Sequence, residues 1–166
     1  MNYIGKNFLI EKVSALKLSK KYGSPIYCYS YNKIKKNILS LKNNFKSFSP
    51  LLCFSVKSNS NINLLKEIKK LGCGADVVSI GELVVALKAG INVNKIVFSG
   101  VGKTSKEIKY AIEKKILLIN AESKSEILEI EKISRSMNRS TNIGLRLNPN
   151  TDAKTLNKIS TGKKEN

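Results

Sequence analysis

A lysine stands at the end of an apolar stretch, where its amine could act as a nucleophile. Residues 51–57 read LLCFSVK, and a polar turn and a periodic helix follow Lys57. Apolar walls favour the neutral amine, which can attack an aldehyde. The other interpretation is that Lys57 is the solvated end of a strand in a protein rich in lysine. The residues alone leave both interpretations open.

Two more polar side chains interrupt later apolar stretches. Asp76 alternates with Ala75 and Val77, and Arg146 alternates with leucines. Successive side chains of a strand point to opposite faces, so we expect Lys57, Asp76 and Arg146 opposite the bulky apolar residues. Parallel sheets are usually apolar on both faces. A polar second face therefore indicates a site, into which Lys57 and Arg146 point and which Asp76 could join.

The chain contains no histidine. This excludes a Ser/His/Asp triad, a Cys/His pair and histidine-based metal sites, and we predict no metal site. Cys28, Cys53 and Cys73 lie in or beside apolar runs without the spacing of a paired motif, which is typical of reduced, buried thiols. Acid–base chemistry would therefore depend on lysine, carboxylates, tyrosine or a cofactor.

The net charge of +18 raises the question of an anionic partner. Arginine, the residue best suited to reading nucleic acid, occurs only at positions 135, 139 and 146. The lysines are spread along the whole chain, which favours a compositional bias; a non-enzymatic protein that binds nucleic acid is the alternative from another class. No apolar run approaches the ~18 residues of a membrane span, and the N-terminus lacks a signal pattern. We therefore expect no membrane partner and a cytoplasmic location.

Strand and helix patterns alternate from residue 51 onward. The predicted strands are 51–57, 75–78, 95–99, 116–119 and 142–148, and the predicted helices are 62–71, 81–89, 106–114 and 124–136. Ser79, Thr104 and Ser123 each precede a glutamate by three positions, the spacing of a capping box at a helix start. The alternation predicts an α/β fold with a parallel sheet.

Upstream of this repeat, the patterns predict a short helix before Gly23, a strand at Ile26–Ser30 and a helix over 31–48. Five strands are fewer than the eight of a TIM-type (β/α)8 barrel, which typically has ~250 residues. We expect either a small open sheet or about five βα units from the N-terminal portion of such a barrel, in a truncated chain.

The chain resembles the pyridoxal-phosphate-dependent decarboxylases of the alanine-racemase-like fold from about Ser24 onward. The matching motifs occur in that family's order, at 54–59, 72–83, 86–90, 146–149, 152–155 and 159–166. They include Phe-Ser-Val-Lys-Ser-Asn around Lys57 and Arg-Leu-Asn-Pro from Arg146.

The resemblance implies a barrel that carries pyridoxal 5'-phosphate, formed by residues 31–166. Residues 1–30, including the strand at Ile26–Ser30, would belong to a second, β domain. Lys57 would form the Schiff base with the cofactor aldehyde, and Asp76 and Arg146 would lie near the cofactor. The implied activity is the decarboxylation of a small-molecule amino acid, by a full-length protein that is a homodimer.

The chain also departs from the family pattern. Ser58 stands where the family usually has alanine, and Leu156 where it commonly has histidine. The family's cofactor-stacking histidine, glycine-rich phosphate loop, pyridine-nitrogen glutamate and dimer-contributed residues would all lie beyond Asn166. We therefore expect the 166-residue chain to be inactive by itself. Family members include decarboxylases of ornithine and arginine as well as racemases, so the substrate stays open.

Overall fold

The structure is a computed structural model that describes residues 2–151 of the chain. The chain divides into two units at the junction of Pro50 and Leu51. The domain division after residue 30, which came from the family resemblance, stays a prediction. The predicted contacts around Leu156 lie outside the described residues.

A small antiparallel sheet, rather than a helix, begins the first unit. Its strands are paired in the order β1 (Asn2–Ile4), β2 (Asn7–Ile10) and β3 (Val13–Ser14). Tyr3 lies opposite Phe8 with ring centroids 5.0 Å apart. The predicted short helix before Gly23 is confirmed as α1 (Ala15–Tyr22), whereas the sheet that precedes it was not predicted. In the turn between β2 and β3, Glu11 has a φ of 58°, in the left-handed region. Glutamate rarely adopts this backbone conformation, so the sequence did not indicate a turn here.

The predicted strand at Ile26–Ser30 is not formed among the described residues. Its composition favours an extended chain, but a strand also needs a partner, and none of residues 2–151 pairs with it. Ser30 instead begins α2 (Tyr31–Asn44), because its hydroxyl oxygen accepts a hydrogen bond from the Lys33 backbone at 3.1 Å. Hydrogen bonds from the Ser30 hydroxyl and the Asn32 backbone hold the pKa of the Glu11 carboxyl below its usual range.

The second unit contains the predicted parallel sheet. Its strands are β4 (Cys53–Ser55), β5 (Gly74–Val77), β6 (Ile96–Phe98), β7 (Leu118–Ala121) and β8 (Ile143–Leu145). All neighbouring pairs are parallel, and the order in the sheet follows the order in the chain. The first and last strands are shorter than predicted.

Helices cover one face of this sheet. They are α3 (Ile62–Lys70), α4 (Ile80–Lys88), α5 (Ser105–Lys114) and α6 (Lys124–Ser136), each packed against the next. The core between sheet and helices includes Val77, Ile96, Phe98, Leu65 and Leu83, which are fully buried. Sequential order with helices on a single face is the winding of a (β/α)8 barrel, whereas a doubly wound sheet reverses its strand order. The α/β prediction is confirmed.

The helix starts follow the predicted capping pattern with one variation. Thr104 and Glu107 form a complete capping box at α5. At α4 and α6, Ser79 and Ser123 accept from the backbone of Glu82 and Glu126, as predicted. The two glutamates, however, accept from the backbone of Val78 and Glu122, one residue before the capping serine.

Glu107 also joins two helix starts, because its carboxylate accepts hydrogen bonds from the backbone of both Thr104 and Ile80. These bonds hold the pKa of the Glu107 carboxyl below its usual range. A lowered pKa means that the carboxylate stabilises the fold above the ordinary glutamate range near pH 4.5, and that this contribution disappears as pH falls through the lowered pKa.

Glu107→Gln is therefore expected to lower the free energy of unfolding by about 1–2 kcal/mol at pH 7. The difference from the unsubstituted chain should shrink as the pH falls below the ordinary range. Urea denaturation followed by circular dichroism at several pH values measures both effects. Glu113→Gln, an exposed glutamate on the same helix, is the control. A pH-independent difference would contradict the assignment.

The outer face of β8 is uncovered by residues 2–151. Leu145 and Leu147 are 62% and 83% exposed. These leucines are exposed among the described residues because α6 precedes β8 and no helix in the described part of the chain follows it. Among the same residues, no helix has the length and apolar character needed to cross a membrane.

Candidate active site

Polar side chains connect neighbouring strands on the sheet face opposite the helices. Asp76 is half-buried between the fully buried Ala75 and Val77, as strand alternation predicted. The Ser55 hydroxyl donates to Asp76 Oδ2 at 3.4 Å, and the Ser99 hydroxyl donates to Asp76 Oδ1 at 2.6 Å. The Asp76 carboxylate is therefore fixed by hydroxyls from both sides.

The same polar layer continues to β7 and β8. The Asn120 amide donates to the Ser99 hydroxyl oxygen at 3.0 Å. On β8, a Cβ at Gly144 would overlap Asn120 Oδ1, so the missing side chain is what makes room for the amide. The layer therefore crosses the whole five-stranded sheet with small or polar groups.

Cys53 lies beside this layer, on β4. Burial raises the pKa of its thiol, and the nearby Asp76 and Cys73 add to the effect. The thiol therefore stays protonated and is a poor nucleophile. All three cysteines are free, in agreement with the prediction of reduced thiols, although only Cys73 is fully buried.

Lys57 follows β4 but is not part of the strand. The strand ends at Ser55, and residues 56–58 form a turn of 3-10 helix closed by a 2.7 Å hydrogen bond from the Ser58 hydroxyl to the Ser55 carbonyl oxygen. Strand alternation therefore does not decide where Lys57 points. Its side chain is exposed and has no hydrogen bond or ion pair with any of residues 2–151. Residues 2–151 therefore do not bury the Lys57 amine, although an apolar environment was expected around it.

Arg146 follows β8 and is attached at two points. Its backbone N–H donates to the Ala121 carbonyl oxygen at 3.0 Å, and its Nη1 donates to Glu122 Oε2 at 2.6 Å. The side chain of Arg146 is 52% exposed, whereas that of Glu122 is 7% exposed. Arg146 therefore presents a guanidinium at the carboxyl end of the sheet, paired to a buried carboxylate.

A second ion pair, between Lys103 and Glu126, lies close to the pair of Arg146 and Glu122. Lys103 Nζ is 2.7 Å from Glu126 Oε1, with side-chain exposures of 1% and 10%. The Lys103 ammonium also donates to the Gly100 carbonyl oxygen at 2.5 Å, and the Gly100 N–H donates to Glu122 Oε1 at 2.7 Å. The loop after β6 is thus fastened to the segment after β7 by two carboxylates.

Asp76 and Arg146, both predicted from the sequence, belong to two hydrogen-bonded groups that are joined through the neighbouring residues Ser99 and Gly100. Ser99 bonds the Asp76 carboxylate, and Gly100 bonds the Glu122 carboxylate that holds Arg146. Lys57 is not brought into contact with either. It follows the first strand of the sheet and Arg146 follows the last, which at ~4.8 Å per strand separates them by about 19 Å across a flat sheet.

Glu122 and Lys103 were not predicted as site residues from the sequence. Each stands directly before a capping residue, Ser123 or Thr104, at a position where an apolar residue commonly packs onto the helix. A charge at that position was the available signal. Glu126 was assigned only to capping, because its second oxygen and the buried Lys103 are separated by more than twenty residues of sequence.

Residues 31–166 match the family described as pyridoxal-dependent decarboxylase, pyridoxal binding domain. The chain belongs to this family. Diaminopimelate decarboxylases are among its similar relatives: that of Helicobacter pylori strain J99 is 49% identical over 90% of this chain, and that of Campylobacter jejuni is 45% identical over 90%. The chain spans 37% of the length of each of these relatives.

A solved structure of a related decarboxylase has the same fold. The crystal structure of diaminopimelate decarboxylase from Helicobacter pylori, complexed with L-lysine, superposes with a TM-score of 0.88 at 46% identity. The match covers 91% of this chain and 38% of that one. The expected TIM-type arrangement, with an incomplete set of strands, is confirmed.

The described residues of this pyridoxal-dependent decarboxylase chain fit part of a cofactor site. Pyridoxal phosphate offers an aldehyde, and Lys57 offers an exposed primary amine at the carboxyl end of the sheet. Arg146 offers a guanidinium to an anionic oxygen, and Asp76 offers a carboxylate that two serine hydroxyls fix in place. Within residues 2–151, no cluster of three or more acidic, cysteine or histidine side chains could hold a metal ion.

Proposed function

We propose that the complete protein is a diaminopimelate decarboxylase, which converts meso-2,6-diaminopimelate to L-lysine and carbon dioxide in lysine biosynthesis. The observation that carries this proposal is the 49% identity to the Helicobacter pylori enzyme over 90% of the chain. The crystal structure of a 46% identical relative with L-lysine bound supports the same substrate class.

Lys57 is the proposed attachment point of the cofactor: Nζ would condense with the aldehyde carbon, and the aldehyde oxygen would leave as water. The resemblance of residues 54–59 to the family motif supports this role, and the turn closed by Ser58 fixes the backbone at Lys57. Pyridoxal phosphate, when bound, supplies an electron sink for the pair left behind as carbon dioxide departs.

Asp76 and Arg146 are the proposed cofactor contacts. The hydroxyls of Ser55 and Ser99 fix the Asp76 carboxylate as a hydrogen-bond acceptor with little freedom to turn away. Arg146 keeps donors open on its half-exposed guanidinium while Nη1 is bound to Glu122. The two side chains therefore offer an acceptor and a cation at the carboxyl end of the sheet, where barrel enzymes place their sites.

The assembly and location follow the same proposal. We propose that the complete protein is a homodimer in the cytoplasm, with a pyridoxal-binding barrel that begins near residue 31. The family resemblance implies that the loop that binds the cofactor phosphate lies beyond Asn166, so residues 2–151 alone are not expected to decarboxylate the substrate. Sedimentation of the complete protein measures its oligomeric state.

The decisive experiment incubates the complete protein, loaded with pyridoxal phosphate, with meso-diaminopimelate, ornithine or arginine. We expect L-lysine and carbon dioxide from the first substrate and little product from the others. Borohydride reduction followed by peptide mapping should place the cofactor on residue 57. If the protein turned over ornithine or arginine faster than meso-diaminopimelate, the proposed substrate would be wrong. If the label were found on another lysine, the proposed role of Lys57 would be wrong.

A further inference from the structure

We infer that Glu122 is a positioning residue, whose buried carboxylate holds the guanidinium of Arg146 in place for the cofactor. This inference rests on the proposed function, because it takes Arg146 as a cofactor contact. Glu122 is not expected to touch the cofactor itself, since its side chain is 7% exposed and both of its oxygens are occupied.

The two oxygens of Glu122 have different partners. Oε2 accepts from Arg146 Nη1 at 2.6 Å, and Oε1 accepts from the Gly100 backbone at 2.7 Å. Hydrogen bonds of a carboxylate to a guanidinium are short and charge-assisted, and they fix direction as well as distance. Glu122 therefore sets the guanidinium of Arg146 relative to the loop after β6.

The backbone of Glu122 is itself held in place by Glu126. Its backbone N–H donates to Glu126 Oε2 at 2.7 Å, and Glu126 Oε1 pairs with the buried Lys103. The two carboxylates and the two cations, Lys103 and Arg146, balance in charge. Lys103 and Glu126 already neutralise each other, so the remaining charge of Glu122 is directed to Arg146. Loss of the contact with Arg146 would leave the buried Glu122 carboxylate without its cation, which is costly.

Arg146 depends on this contact more than an arginine inside a covered strand would. It lies just past β8, an edge strand whose outer face is exposed at Leu145 and Leu147. Within residues 2–151, Glu122 supplies the side-chain partner of the guanidinium, which keeps its other N–H groups open. A cation fixed through one nitrogen and open at the others is preorganised to receive an anionic group.

The test is a double-mutant cycle on the complete protein, in which the binding of pyridoxal phosphate to the cofactor-free enzyme is titrated by absorbance. Glu122→Gln is expected to weaken binding by about tenfold to a hundredfold, because the amide cannot accept from both partners. In an Arg146→Gln background, the same substitution should weaken binding further by less than about twofold. Glu131→Gln, which breaks an exposed pair with Arg135, is the matched control and should leave binding unchanged.

Three outcomes would overturn the inference. The first is unchanged cofactor affinity in Glu122→Gln. The second is an equal loss of cofactor affinity on this substitution whether or not Arg146 is present, which would mean that Glu122 only stabilises the loop after β6. The third is a crystal structure of the cofactor-free Glu122→Gln protein in which Arg146 keeps its position. Because this crystal structure needs no cofactor, it tests the positioning role even if the unsubstituted protein binds no pyridoxal phosphate, a result that would overturn the proposed function instead.

Discussion

Lys57→Ala in the complete protein is expected to lower the rate of decarboxylation on the order of 10³-fold or more. The substitution removes the amine proposed to hold the cofactor covalently, so the chemistry that this bond makes possible is lost rather than weakened. Lys57 has no hydrogen bond or ion pair with residues 2–151, so its removal should leave the fold intact. Initial rates of carbon dioxide release and a thermal melt measure both effects.

Two further proteins make this experiment specific. Lys66→Ala removes another exposed lysine, on α3, and should leave the rate within about twofold of the unsubstituted enzyme. Lys57→Arg keeps a positive charge but lacks a nucleophilic amine, so it should be as inactive as the alanine variant. Substantial activity in Lys57→Arg would indicate that Lys57 acts through its charge alone.

Gly74→Ala is expected to destabilise the second unit by about 3 kcal/mol or more. Gly74 begins β5, and a Cβ there would overlap the backbone carbonyl oxygen of Lys95 and lie 3.0 Å from Cys53 Sγ. The carbonyl belongs to the backbone that enters β6, so the clash cannot be relieved by turning a side chain. Either the two strands separate or the sheet shifts. Urea denaturation at pH 7 measures the loss in free energy of unfolding.

Gly81→Ala is the matched control for this substitution. Its Cβ would meet nothing nearer than Ser79 Oγ at 3.7 Å, and alanine favours the helix in which residue 81 lies. We therefore expect unchanged or slightly increased stability. If Gly74→Ala unfolded at the same urea concentration as Gly81→Ala, the close approach of β5 to Lys95 would be disproved.

The second unit was predictable from sequence because its signals are local. Helix periodicity, capping serines and threonines, and short apolar runs recur in a regular order, and the helices lie within one residue of their predicted ends. The antiparallel sheet of the first unit was not predictable in this way. Strands β1 and β2 are three and four residues long, too short for a period of two to show, and the turn from β2 to β3 passes through Glu11 rather than a typical turn residue.

The site was predictable in its residue types more than in its contacts. Alternation correctly placed Asp76 opposite the buried Ala75 and Val77. It could not place Lys57, because β4 ends two residues earlier than the apolar run does. Alternation also predicted that Arg146 points into one site with Lys57, whereas Arg146 is paired with Glu122, a carboxylate that strand alternation does not select.

By itself, the sequence determined the parallel α/β fold, the family and the identity of the candidate lysine, because these depend on local periodicity and on motifs within single segments. Only the tertiary structure decided which charges meet. Lys103 pairs with Glu126, and Arg146 with Glu122, across more than twenty residues each. Such pairs form where the carboxyl ends of neighbouring parallel strands converge, and their strength comes from burial, a property of the packed sheet that no single segment carries.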